Sequence, residues 1–79
     1  MAHSIADIAQ ALGAEAAGDL SLVVRRAAEP AMAGPEDLAL AMDPRYAEGL
    51  SKGKARAAML WPGADWQELG LQAAIFAPR

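Results

Sequence analysis

Cysteine is absent from this 79-residue chain, and histidine occurs once, as His3 beside the start methionine. The first absence excludes a disulfide framework and any thiolate metal site. The scarcity of histidine sets aside zinc sites, Ser/His/Asp triads and Cys/His pairs. Aromatics are few: one Phe, one Tyr and two Trp. No apolar run approaches the ~20 residues of a membrane helix, and the amino end lacks the charged, apolar and small-residue succession of a secretory leader. Basic residues are outnumbered, 7 Lys and Arg against 10 Asp and Glu, for a net charge of −3. They are scattered as Arg25, Arg26, Arg45, Lys52, Lys54, Arg56 and Arg79, without the stripe that phosphate neutralisation demands of a nucleic-acid binder. The run Lys52-Gly53-Lys54-Ala55-Arg56 reads as a solvated corner. The expectation is a cytoplasmic chain with no nucleic-acid partner, no membrane insertion, no metal and no cofactor.

What the chain has is alanine. Hydrophobic residues make up 54% of it, and alanine supplies 21 of these 43 positions. The remaining 22 must hold a single small domain over residues 1–79, because a chain this short buries only about 60% of the surface its unfolded form exposes.

Ser4 and Asp7 form a capping pattern, and Ile5, Ile8, Ala9 and Leu12 follow at the spacing of one buried helical face up to Gly13. Residues 14–17 and 20–25 read as two strands about a Gly18-Asp19 turn, capable of a hairpin, with Leu20, Leu22 and Val24 on one side. Residues 29–37, with two prolines and a glycine, read as a loop. Leu38–Met42 is a short apolar run, and Asp43-Pro44 starts a second helix that ends at Gly53. Ala57–Trp61 reads as a buried strand, Asp65–Leu69 as a short helix, and Ala73–Ala77 as a last strand closed by Pro78. Strand–helix alternation from residue 38 onward predicts an α/β domain with a mostly parallel or mixed sheet. Right-handed crossovers place both of these helices on one face.

Residues for chemistry are few. Asp65 and Glu68 lie one helical turn apart but read as a capped surface helix. Gly34-Pro35-Glu36-Asp37 is a turn, lacking the lysine and the strand–helix context of a phosphate loop. His3 reads as a surface or disordered terminal residue. Trp61 and Trp66 read as core and rim packing, with a planar-ligand site as the other use of such rings. Asp37 to Tyr46 is more informative, for it joins a strand end, a helix start and an aromatic ring. Tyr46 either stacks on a base, with Asp43 and helix-start N–H groups nearby, or packs its ring on the sheet; physics alone favours the second, more ordinary arrangement.

In the same stretch the chain resembles the amino-terminal domain of the bacterial UDP-3-O-acylglucosamine N-acyltransferases, transferases of lipid A and hence lipopolysaccharide biosynthesis. The resemblance rests on Ile5–Gly13, Gly18-Asp19, Ala33–Leu38, Asp43–Tyr46, Ala57–Leu60 and Ala77-Pro78-Arg79, and so runs through the whole chain in order. Part of the pattern is shared with the amino-terminal UDP-binding domains of Mur ligases. The resemblance implies a domain that holds the uridine of a UDP-sugar, UDP-acylglucosamine, through a Phe-x-x-Asn-Pro-x-Tyr motif. Tyr46 and Pro44 keep their places in it, whereas Leu40 stands for the phenylalanine and Asp43 for the asparagine. Leucine has no π-face for stacking, and an ionised Asp accepts hydrogen bonds without donating. The resemblance also implies a catalytic histidine in a left-handed β-helix absent from these residues, a longer parent chain, acyl carrier protein as acyl donor and a trimeric parent. The isolated piece is then a non-catalytic monomer. The other expectations are a degenerate paralogous domain that serves as a packing or protein-interaction module, or a Mur-ligase-type amino-terminal UDP-binding domain.

Overall fold

Ser4 starts the first helix because its hydroxyl accepts the Asp7 N–H at 3.1 Å. In the computed structural model, which describes residues 2–77, this helix (α1) spans Ile5–Leu12. Gly13 closes it at φ 67°, the left-handed conformation that favours glycine. The other N–H groups of the first turn are taken by backbone carbonyls: Ile5 donates to Leu22 at 2.9 Å and Ala6 to Leu20 at 3.0 Å.

Those two bonds explain why the expected hairpin does not form. The short strand β1 (His3–Ser4) precedes α1, and β2 (Glu15–Gly18) follows it. The Asp19 carboxylate then accepts both the N–H and the hydroxyl of Ser21, in a turn that brings the Leu20 and Leu22 carbonyls to the start of α1. Only Val23–Val24 (β3) remains extended there, and it pairs antiparallel with β1, whereas β2 pairs antiparallel with the last strand. Of the predicted apolar face, Val24 is buried, Leu22 half-buried and Leu20 exposed. His3 is exposed but belongs to β1, opposite Val24.

The remaining elements are β4 (Arg26–Ala28), β5 (Asp37–Ala41), a 3₁₀ turn over Pro44–Tyr46 that runs into α2 (Ala47–Lys52), β6 (Ala57–Leu60) and β7 (Ala73–Phe76). They build a five-stranded sheet in the order β2-β7-β6-β5-β4, parallel except for β2. The α/β class and mixed sheet are those the alternation predicts; β4 lies outside the predicted strands. The expected helix at 65–69 is instead a set of turns: the six residues between Gly63 and Gly70 are too few to offset helix nucleation. Asp65 caps that segment by accepting the Glu68 N–H at 3.3 Å. Pro78 and Arg79, expected to close the last strand, lie outside the described residues.

Each face of the sheet carries one cluster. On the α1 side Ile5, Ala9, Val24, Leu38, Ala57, Ala73 and Ile75 are buried together. On the other side Leu50 of α2 and Ala64 and Leu71 of the 61–72 segment cover Ala39, Ala41, Ala58, Leu60 and Ala74. Both connections between the parallel strands β5, β6 and β7 therefore lie on one face, as right-handed crossovers require. The floor beneath them is largely alanine, so α2 approaches closely. At its end a Cβ on Gly53 would collide with the Pro30 carbonyl oxygen, and the Lys54 N–H reaches the Ala33 carbonyl at 2.8 Å.

One buried carboxylate fixes the edge of the sheet. Asp37, 5% exposed, accepts the Gly34 N–H at 2.9 Å on one oxygen and Arg26 Nε at 2.9 Å on the other. The first bond closes the 34–37 turn; the second ties β4 to β5 at their paired residues Arg26 and Asp37. The Gly34 bond, then the Arg26 bond, holds the Asp37 carboxyl below its ordinary range.

Two predictions follow from this packing. Ala58→Leu adds volume where none is free and should lower stability by about 1–3 kcal/mol in urea unfolding; an unchanged midpoint would show the α2 layer to be loosely packed. Because the folded-state pKa of Asp37 is depressed, its stabilisation is full above the ordinary carboxylate value of about 3.9 and fades as pH falls through the folded value. Thermal melts should therefore show Asp37→Asn less stable than the parent at neutral pH, with the difference shrinking on acidification.

Candidate functional site

The opening in the sheet edge follows from local sequence. β4 ends at Ala28, opposite Ala39, where Glu29-Pro30 follows and proline has no N–H to extend the ladder. β5 continues through Leu40 and Ala41 with that edge uncovered. Between this edge and α2 lies an open cleft of ≈ 570 Å³ whose wall includes Pro30, Leu40, Met42, Arg45, Tyr46 and Gly49. It sits past the carboxyl ends of parallel strands, where open α/β sheets place their ligands.

Tyr46 is 52% exposed and Met42 46% exposed on this wall, whereas Leu40 is half-buried. The Tyr46 ring is thus available to a ligand rather than covered by the sheet. Its position is set by Asp43 and Pro44. Pro44 supplies the fixed φ of the first turn position. Asp43 Oδ1 accepts the Arg45 backbone N–H at 2.9 Å and Arg45 Nε at 3.1 Å, while Oδ2 accepts Nη2 at 3.3 Å. The backbone bond from Arg45, then its side-chain bonds, keeps the Asp43 carboxyl below its ordinary range and raises the guanidinium. The Arg45 guanidinium carbon lies 6.0 Å from the Tyr46 ring centroid, at the outer reach of a cation–π contact.

Of the four site residues expected from sequence, Leu40 and Tyr46 meet on the cleft wall, whereas Asp43 and Pro44 build the turn behind it. Sequence reasoning did not single out Met42 and Arg45. The signal for Arg45 was present: an arginine two residues after a capping Asp is within reach of that carboxylate. Trp61 and Trp66 are half-buried against the α2-side cluster and take no part in the cleft. Lys52 also lines it, as do Glu29 and Glu48; Lys54 and Arg56 stay exposed elsewhere. Among the described residues, no group of three His, Cys, Asp or Glu side chains is placed to hold a metal ion, and no helix is long and apolar enough to cross a membrane.

These features define a small α/β domain with a ligand-sized cleft at the carboxyl ends of its parallel strands. No protein-family model matches the chain. Over all 79 residues it is 67% identical to the UDP-3-O-acylglucosamine N-acyltransferase of Ruegeria pomeroyi and 49% identical to the protein of that name from Paracoccus denitrificans. The chain spans 22% and 21% of the length of these two relatives.

The Asp43–Arg45 pair makes a specific prediction. In a carboxyl-carbon NMR titration Asp43 should protonate below the ordinary value of about 3.9, and Arg45→Gln should move it upward without moving Asp37. An Asp43 that titrates alike in both proteins would contradict the ion pair.

Proposed function

We propose that the chain is the amino-terminal, uridine-recognition domain of a UDP-3-O-acylglucosamine N-acyltransferase of lipid A biosynthesis. The observation that carries this reading is the cleft itself: an exposed Tyr46 ring beside the apolar Leu40 and Met42, past the ends of parallel strands. Identity of 67% to a relative with that name supports this substrate class. In this reading the uracil of a UDP-sugar stacks on Tyr46 and rests against Leu40 and Met42. Aromatic and apolar contact suits a flat base in a cleft open to water. Acyl transfer, with acyl carrier protein as donor, falls to the part of such an enzyme that this chain does not span. The enzyme works in the cytoplasm as a trimer, and this domain alone is a monomer.

A second reading has a specific observation behind it. Leu40 offers no π-face, and both oxygens of Asp43 are engaged by Arg45. A domain so altered would serve as a packing or interaction module.

Titration of the ¹⁵N-labelled chain with UMP separates the two. The uridine reading expects shifts at residues 40–46, weakening of about tenfold in Tyr46→Ala, at the lower end of the base–aromatic range, and tighter binding in Leu40→Phe. No shift at millimolar UMP, in the parent chain or in Leu40→Phe, would overturn it in favour of the module.

A further inference from the structure

The cleft holds a feature that base stacking leaves unused. Arg45 is an exposed arginine whose side chain is nevertheless held in place. Its Nε and Nη2 donate to the two oxygens of Asp43 at 3.1 and 3.3 Å, and the carboxylate is itself fixed by the Arg45 backbone N–H at 2.9 Å. A guanidinium has five N–H donors in one plane. Asp43 occupies two of them, and among the described residues the other three have no hydrogen-bond partner. One of them is the second N–H of Nη2 and two are on Nη1. The group is a wall residue of the cleft, with its carbon 6.0 Å from the centre of the Tyr46 ring.

We infer that Asp43 and Arg45 act as one unit in which Asp43 positions the guanidinium so that its remaining N–H groups bind the 5′-phosphate of a nucleotide whose base rests on Tyr46. This inference rests on the nucleotide reading of the cleft and deepens it: Arg45 makes the site prefer phosphorylated nucleosides to neutral ones, and Asp43 does not read the base. A planar, pre-oriented guanidinium matches phosphate oxygens two at a time, and little conformational freedom remains to be lost on binding. The pair carries no net charge, so its preference comes from directed hydrogen bonds more than from long-range attraction. Lys52 adds a positive charge to the same wall, and Glu29 and Glu48 oppose it; Glu48 lies four residues before Lys52 on α2 and offsets its charge. Arg45 is thus the cation of the wall with an orientation fixed for a ligand.

The test compares uridine with UMP as probes, by NMR titration of the whole chain and of two variants. The parent chain should bind UMP about tenfold more tightly than uridine, equivalent to about 1.4 kcal/mol. Arg45→Met keeps much of the apolar stem and removes the donors; it should bring UMP down to the affinity of uridine and leave uridine unchanged. Asp43→Asn, which loosens the hold on the guanidinium, should shrink the preference for UMP over uridine. The inference is overturned if Arg45→Met retains the preference for UMP, if it weakens both ligands equally (the guanidinium then stacks on the base), or if Asp43→Asn leaves the preference for UMP undiminished. A parent chain that binds neither probe overturns the nucleotide reading itself, an outcome distinct from the others. Amide spectra that overlay those of the parent away from residues 40–46 establish that each variant is folded.

Discussion

Close approach over a floor of alanine is the constraint on which this domain depends. Ala39, Ala41, Ala58 and Ala74 are fully buried on one face of the sheet, and Ala57 and Ala73 on the other. Each contributes little apolar area, so stability comes from dispersion between elements that sit near one another. Larger side chains enter at a few points only, Ile5, Leu60 and Ile75 being the largest that are fully enclosed. Near contact then demands small residues above the floor as well. Gly53 ends α2 against the Pro30 carbonyl, and Gly49 faces the Pro30 side chain from one turn earlier. The wall of the cleft is therefore a consequence of how the sheet is covered.

Two aspartates convert this packing into a site. Asp37 locks the 34–37 turn and joins the start of β4 to the start of β5, and Pro30 then ends the pairing and leaves β5 uncovered. Asp43 performs a similar task one strand-length later, capping the 3₁₀ turn that carries Tyr46. Both carboxyls are held below their ordinary range by N–H donors, the backbone ones foremost. Among the described residues no buried side-chain polar atom lacks a partner, which fits a small fold with little stability to spare.

Much of the architecture was legible in the sequence because local rules decide it. The Ser4 cap, the helical spacing up to Leu12 and the stop at Gly13 involve neighbours only, and so do the Asp43-Pro44 start and the strand–helix–strand order around it. The hairpin at 14–25 was misread for a reason no local rule contains. Carbonyls of Leu20 and Leu22 are drawn to unpaired N–H groups of a helix some fifteen residues earlier, and β2 finds its partner at the far end of the chain. β4 was overlooked because three residues of Arg-Ala-Ala have weak strand preference; its pairing depends on Asp37, distant in sequence. In the site, Tyr46 and Leu40 were legible as a ring and an apolar neighbour on either side of a turn. Arg45 within reach of a capping Asp was legible as well; that it takes up both Asp43 oxygens was not, since a carboxylate at a helix start has the same sequence signature whichever donor it meets.

In the proposed reading this domain contributes the grip on a nucleotide. Its cleft offers a ring, two apolar side chains and an oriented guanidinium. The most direct measurement of the account is a crystal structure of the chain grown with saturating UMP. The account predicts the uracil ring lying on Tyr46 beside Leu40 and Met42, with the phosphate against the guanidinium of Arg45. UMP seated on another face, or an empty cleft at saturation, would contradict it.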